Sequence, residues 1–185
     1  MAKAKSYPLV NIERVELVTE GTTPTTVSFD TATEASYSPV LSEGDETILR
    51  TKNTIHAINR TEDIQYGSDI EFTDAKFVPD VLALVDGGTI TKEENGEITG
   101  YSSPPTGAVV NRTPFTLNIY TAEKDIDGNI VKYFKFTFPH SKGSPAEFDF
   151  QDGEFLSPTY TIHSRAAAGE SPVQVSVVTE LPDET

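Results

Sequence analysis

Short runs of alternating apolar and polar residues, each cut off by glycine or proline, set the strongest limit on what this chain can fold into. Alternation has the period of a strand and sends every second side chain to the same face of a sheet. In the run from Ile130 to Phe138, Lys132, Phe134, Phe136 and Phe138 share one side, Val131, Tyr133, Lys135 and Thr137 share the other, and Pro139 is expected to end it. Upstream, Phe115, Leu117 and Ile119 alternate with Thr116, Asn118 and Tyr120. Between the two, Asp125-Ile126-Asp127-Gly128-Asn129 carries turn chemistry, so the pair reads as an antiparallel hairpin.

The same pattern recurs along the chain. Ile64, Tyr66, Ile70 and Phe72 lie on one face of a run whose other face is Asp63, Gln65, Asp69 and Glu71. Ala146, Phe148 and Phe150 alternate with Glu147, Asp149 and Gln151, and Tyr160 with Ile162, then Val173, Val175 and Val177, give two further strands. Near the start, Val10 and Ile12 give way to Val15 and Leu17, a change of parity that predicts a bulge at Glu13 and Arg14. One helix is expected from Val78 to Gly87: Pro79 suits the first turn, Asp80 complements the helix dipole, and Gly87-Gly88 supplies a stop. Asp30 to Asp45 is polar and aperiodic, Ile48-Leu49 and Ile55 to Ile58 predict two short strands around Lys52-Asn53, and Lys92 to Thr106 reads as a second loop region. A long polar excursion is either a mobile loop or an assembly arm, and both readings stand at this point.

The residues therefore predict a mainly β chain with one short helix. Its 185 residues suit a single domain, with an N-terminal arm over 1–9, an extended loop or hairpin over 30–60 and a tail over 181–185. The apolar share of 36% is below the usual value of about 45–50%, as a thin core or much extended polar surface requires. Cysteine is absent, which excludes disulfides and thiolate chemistry. Neither a signal-peptide pattern nor a run of roughly 18 apolar residues occurs, and the chain is expected to be soluble, unprocessed and not inserted in a membrane. A formal charge of −15 argues against gripping nucleic acid, because such binding needs lysine and arginine on the phosphates. That acidity serves either solubility or the repulsion of DNA that must be surrounded without being held.

Catalytic and metal chemistry is hard to assemble from what remains. His56, His140 and His163 have no metal-ligand spacing, and Asp125 to Asn129 fails the calcium-loop pattern, so no metal or cofactor is expected. Gly143-Ser144-Pro145 lacks the context of a nucleophile elbow, and acid pairs such as Glu93-Glu94 or Asp69 with Glu71 have no sugar-binding tryptophan beside them. Asn59-Arg60-Thr61 and Asn111-Arg112-Thr113 match the glycosylation pattern, but Pro114 follows the second and no secretory signal accompanies either. The phenylalanines of the Ile130–Phe138 run read as core. No enzyme is expected.

Ile64 to Ile90, IQYGSDIEFTDAKFVPDVLALVDGGTI, resembles the middle of siphophage-type tail tube proteins: an acidic-faced strand, a proline-started helix and a Gly-Gly exit. YFKFTFPHSKGSPAEFDFQDGEF and SPTYTIHSRAAAGESPVQVSVVTELP are similar to the later strands of that family, so the likeness covers Ile48 to Pro182. The resemblance implies a β-sandwich or partly closed barrel flanked by the helix, and subunits that form hexameric rings stacked into a virion tail tube, assembled in the bacterial host cytoplasm. Other partners would be the tape measure, the tail terminator and the baseplate or distal tail proteins, with DNA passing through the lumen without specific binding. On that expectation Asp63, Asp69, Glu71, Glu147 and Asp149 are lumen-lining candidates, and Tyr37, Leu41, Ile48, Leu49, Lys52 and Ile55 are assembly-loop candidates. A half-buried strand shows which face is apolar, not whether its polar face meets a channel or the outside. Two alternatives use the same strands: a receptor- or carbohydrate-binding β-sandwich, for which Tyr37, Tyr66 and Tyr101 are the candidate contacts, and the tube of a DNA-free phage-like bacteriocin.

Overall fold

Alternation builds one dominant antiparallel sheet around the predicted hairpin of β9 (Phe115–Lys124) and β10 (Ile130–Gly143). The computed structural model describes residues 4–183, so the ends of the expected arm and tail, residues 1–3 and 184–185, lie outside the described residues. Asp125 fastens the hairpin tip: its Oδ1 accepts the backbone N–H groups of Asp127 at 3.0 Å and Asn129 at 2.8 Å. On one side β9 pairs with β1 (Leu9–Thr19), which pairs with β2 (Thr26–Phe29). The predicted bulge is there, as a register shift between Val10 and Arg14 with Asn11 at φ 61°.

On its other side the long β10 is shared between two partners. Tyr133–Thr137 pairs with β12 (Gln174–Val178), and Ser141–Gly143 pairs with β11 (Thr159–Ser164). β11 continues to β6 (Ile64–Asp74), and β6 to β3 (Ala32–Ser42), giving the order β2-β1-β9-β10-β11-β6-β3. The two ends of that order, β2 and β3, are joined by Asp30 and Thr31, and β1 lies against β3, so the sheet curls on itself. Val15 and Leu17 of β1, Leu117 of β9, Phe72 of β6 and Tyr160 of β11 are buried in the interior so formed, each contributing about 1.5–3 kcal/mol.

The helix α1 (Pro79–Asp86) has the predicted ends. Gly87 takes φ 83° and donates its N–H to the Ala83 carbonyl at 3.0 Å. Val81, Leu82 and Val85 are buried against the sheet, where Gly143 makes room for them. A Cβ on Gly143 would lie 2.2 Å from the Val85 carbonyl oxygen. Arg112 Nε donates to the Val85 and Asp86 carbonyls at 3.2 and 3.0 Å, satisfying the helix end, and the Tyr101 hydroxyl bonds the Asp86 carboxylate. Tyr101 belongs to a small hairpin of β7 (Thr89–Lys92) and β8 (Ile98–Ser102) that occupies much of the expected second loop region.

Three further expectations differ from the structure. Pro139 does not end its strand, because β10 absorbs it at a bulge between Phe138 and Ser141, with His140 at φ 46°, and runs on to Gly143. Residues 146–150 form no strand: Pro145, Pro158 and Gly153 leave only a Glu147–Thr159 bridge. The aperiodic Asp30–Asp45 segment contains strand β3, in register with β6 from Ala32 opposite Asp74 to Ser42 opposite Ile64. Its side chains are mostly small, polar and exposed, so pairing needs no apolar period there.

Candidate assembly surfaces

Between β3 and β6 the chain leaves the sheet as a two-stranded ribbon, β4 (Glu46–Thr51) and β5 (Thr54–Arg60), paired among the described residues only with each other. Every residue of both strands is exposed. Ile48 stands opposite Ile58 and Leu49 opposite Ala57, so successive pairs put aliphatic side chains on both faces. Leu49, Ile55 and Ile58 expose 61%, 56% and 57% of their surface, in a molecule whose core leucines are sealed.

The base of the ribbon is fastened while its length is free. Asp63 Oδ1 accepts the Gly44 N–H at 2.7 Å, and Thr61 Oγ1 accepts the Asp45 N–H at 2.7 Å. The approach is close enough that a Cβ on Gly44 would fall 1.9 Å from the Thr61 carbonyl oxygen. Of the assembly-loop candidates, Ile48, Leu49, Lys52 and Ile55 lie on this ribbon, Lys52 at its turn with φ 53°. Tyr37 and Leu41 lie instead on β3, each 45% exposed. The Tyr37 ring is 5.8 Å from that of Phe138 and borders an apolar groove of about 170 Å³ with Ile12, Ile119 and Phe136.

The acidic candidates fall in different places. Asp69 and Glu71 share the outer polar face of β6, Asp63 sits at the ribbon base, and Glu147 and Asp149 lie in the loop between β10 and β11. Asp69 does not stand alone: Arg165 Nη1 lies 2.9 Å and His163 Nδ1 2.8 Å from its Oδ1. Partial burial pushes its carboxyl up, and the hydrogen bonds from His163 and Arg165 outweigh that and hold it below the usual carboxylate range.

Ser144 Oγ lies 3.0 Å from His163 Nε2, which completes a Ser144–His163–Asp69 line with the atom order of a nucleophile, base and orienting acid. The sequence hid this line, since its members are far apart along the chain and adjacent β strands bring them together. Its surroundings do not suit acyl transfer. The Ser144 N–H already donates to the Thr161 carbonyl at 2.9 Å and Pro145 has no N–H, so the turn offers no oxyanion donors. The line instead ties β6, β11 and the end of β10 together. A second histidine works similarly: His140 Nδ1 lies 2.8 Å from Glu20 and Nε2 3.3 Å from Glu170, linking the β10 bulge to the turn after β1 and the loop before β12. The hydrogen bond it donates to the Glu20 carboxylate raises its pKa.

Among the described residues no group of three or more His, Cys, Asp and Glu is placed to hold a metal ion, and no helix is long and apolar enough to cross a membrane.

No protein-family model matches the chain, and no curated protein does. Among solved structures it is similar to a chain of the anti-feeding prophage baseplate, determined by cryo-EM with 6-fold symmetry, at a TM-score of 0.42 and 10% identity over 97% of each chain. It is likewise similar to a chain of the anti-feeding prophage cap, described as the tube-terminating cap, at a TM-score of 0.43 and 11% identity, again over 97% of each chain.

Proposed function

We propose that the chain is a structural subunit, without catalysis of its own, that assembles with copies of itself into the tube of a phage tail or phage-like tail particle. The β4–β5 ribbon carries this reading, because it extends two faces bearing Ile48, Leu49, Ile55 and Ile58 that nothing among the described residues covers. A lone two-stranded ribbon is marginal in water, and a third element on its apolar face is what makes such a unit stable. β12 adds an edge strand paired only with β10 among the described residues, and Val175 and Val177 are half exposed on it.

In the tube, subunits form hexameric rings that stack, and the neighbours at its ends are other tail proteins. Glu71 and Glu147 are assigned to the lumen wall, where a chain of net charge −15 repels DNA and lets it slide, while Asp149 faces the cleft beside Phe150. Asp69, compensated by Arg165 and His163, adds least to that wall, and Asp63 is engaged at the ribbon base. That compensation favours a second reading, the same tube in a particle that carries no DNA.

Light scattering followed by negative-stain imaging of the purified chain tests the reading. Striated tubes or stacked rings are expected, and a monodisperse monomer at all concentrations contradicts it. Reversing Glu71 and Glu147 to lysine then separates the two readings: assembly persists in both, and DNA delivery stalls only if the lumen conducts DNA.

A further inference from the structure

At the far end of β6 from the ribbon lies a second surface that the fold leaves uncovered. The loop over residues 144–158 exposes Phe150 by 84% and Phe155 by 96%, values that a core phenylalanine never shows. Its aromatic rings are set in order: Phe77 lies 6.2 Å from Phe148, and Phe148 6.4 Å from Phe150. Around Phe150 the loop forms a cleft of about 290 Å³, walled by Asp149, Asp152, Glu154 and Leu156. The loop carries four acids, Glu147, Asp149, Asp152 and Glu154, and no lysine or arginine.

The ribbon has the opposite chemistry. Arg50 and Lys52 flank its turn beside Leu49 and Ile55, and its one acid, Glu46, sits at the base 3.9 Å from Arg60. Arg50 Nε donates to the Lys52 carbonyl at 2.7 Å, and the residue is exposed. One surface is thus aliphatic with a basic tip, the other aromatic and acidic. They cannot meet within one molecule, because the ribbon departs before Ile64 while Thr159, at the end of the loop, pairs with Thr73. The intervening strand spans about 30 Å.

We infer that the tip of the β4–β5 ribbon of one copy docks on the 144–158 loop of the next, in the cleft around Phe150 and over the exposed Phe155. This inference rests on the self-assembly proposed above and names the surface that receives the ribbon. Ile55 and Leu49 cover the exposed phenylalanines, and Arg50 and Lys52 meet Asp149 and Asp152. Symmetric contacts are disfavoured by charge, since ribbon on ribbon opposes two basic tips and loop on loop opposes two sets of four acids. Because donor and acceptor lie at opposite ends of β6, the contact is head to tail and repeats along the strand direction, as stacking requires.

The chain has no cysteine, so Ile55→Cys and Phe155→Cys place unique thiols on the two surfaces. Mixing the two single variants under mild oxidation is expected to give the mixed disulfide dimer well above either homodimer. Separately, Arg50→Glu with Lys52→Glu, or Asp149→Lys with Asp152→Lys, is expected to raise the concentration needed for assembly by on the order of tenfold, and combining all four in one chain to restore it. Circular dichroism and unfolding midpoints check that each variant folds, and the thiol pair, in the native charge background, decides the question if one does not. If the unaltered chain assembles but the mixed dimer does not exceed the homodimers, or the loop reversal leaves assembly unchanged, the docking is wrong and self-assembly stands. If the unaltered chain never self-associates, the self-assembly reading fails and the docking fails with it.

Discussion

The molecule contains two hairpins of opposite fate. β9–β10 lies in the middle of the main sheet with Leu117 and Phe138 buried, whereas no residue of β4–β5 is buried at all. Their sequences explain the contrast. In β9, Phe115, Leu117 and Ile119 are separated by more polar residues, so one face is dry. In β4 the adjacent Ile48 and Leu49 point to opposite faces, and neither face is large enough to make a core by itself. The first hairpin is completed by its own chain; under the proposed self-assembly, another copy completes the second.

Substitution is the sharpest way to break this comparison. Leu117→Ala is expected to cost about 2–5 kcal/mol and lower Tm by roughly 5–15 °C, read by thermal unfolding. A smaller loss, about 1–3 kcal/mol, is expected for Gly143→Ala, whose new Cβ meets the Val85 backbone and must push α1 off β10. Native-state exchange of the α1 amides would show that displacement. Ile48→Ser with Ile55→Ser should change stability by within about 0.5 kcal/mol while abolishing tubes, since both side chains are exposed in the monomer. A large stability loss from that pair would mean that the ribbon is covered by its own chain.

The smallest effect concerns pH. His140 has a pKa raised by Glu20, so its contribution is fully present below about pH 6.5 and is lost as pH rises through the raised value. The ring is 46% exposed and screened by solvent. A Tm decline of about 1–2 °C above pH 6.5 that His140→Asn removes, and that high salt weakens, is the expected result.

Local chemistry accounts for what was legible in the sequence. Gly87 and Pro79 mark α1, the Asp125–Asn129 turn marks the central hairpin, and the parity change at Val10 to Val15 marks the bulge, because each signal acts within a few residues. β3 was hidden because a strand carried by pairing to β6 needs no apolar face of its own. The Phe148–Phe150 alternation misled for the converse reason: periodicity specifies a strand only where a neighbouring edge is available, and Thr159 offers a single bridge. Of the candidate site, Ile48-Leu49 and Ile55 to Ile58 marked the two strands of the ribbon, while the assembly role given to their side chains came from the family resemblance. The pairing of Asp69 with His163 and Arg165 could not, since contacts across some ninety residues leave no local trace.

Amide hydrogen exchange across Glu46–Arg60, compared between dilute subunit and assembled particle, tests most directly whether another copy completes the ribbon. Completion by a second copy predicts rapid exchange of the ribbon in the dilute subunit while the β9–β10 amides stay protected, and strong protection of the ribbon once particles form. Ribbon amides as protected in the isolated subunit as those of β9–β10, or still exchanging freely in assembled particles, would contradict it.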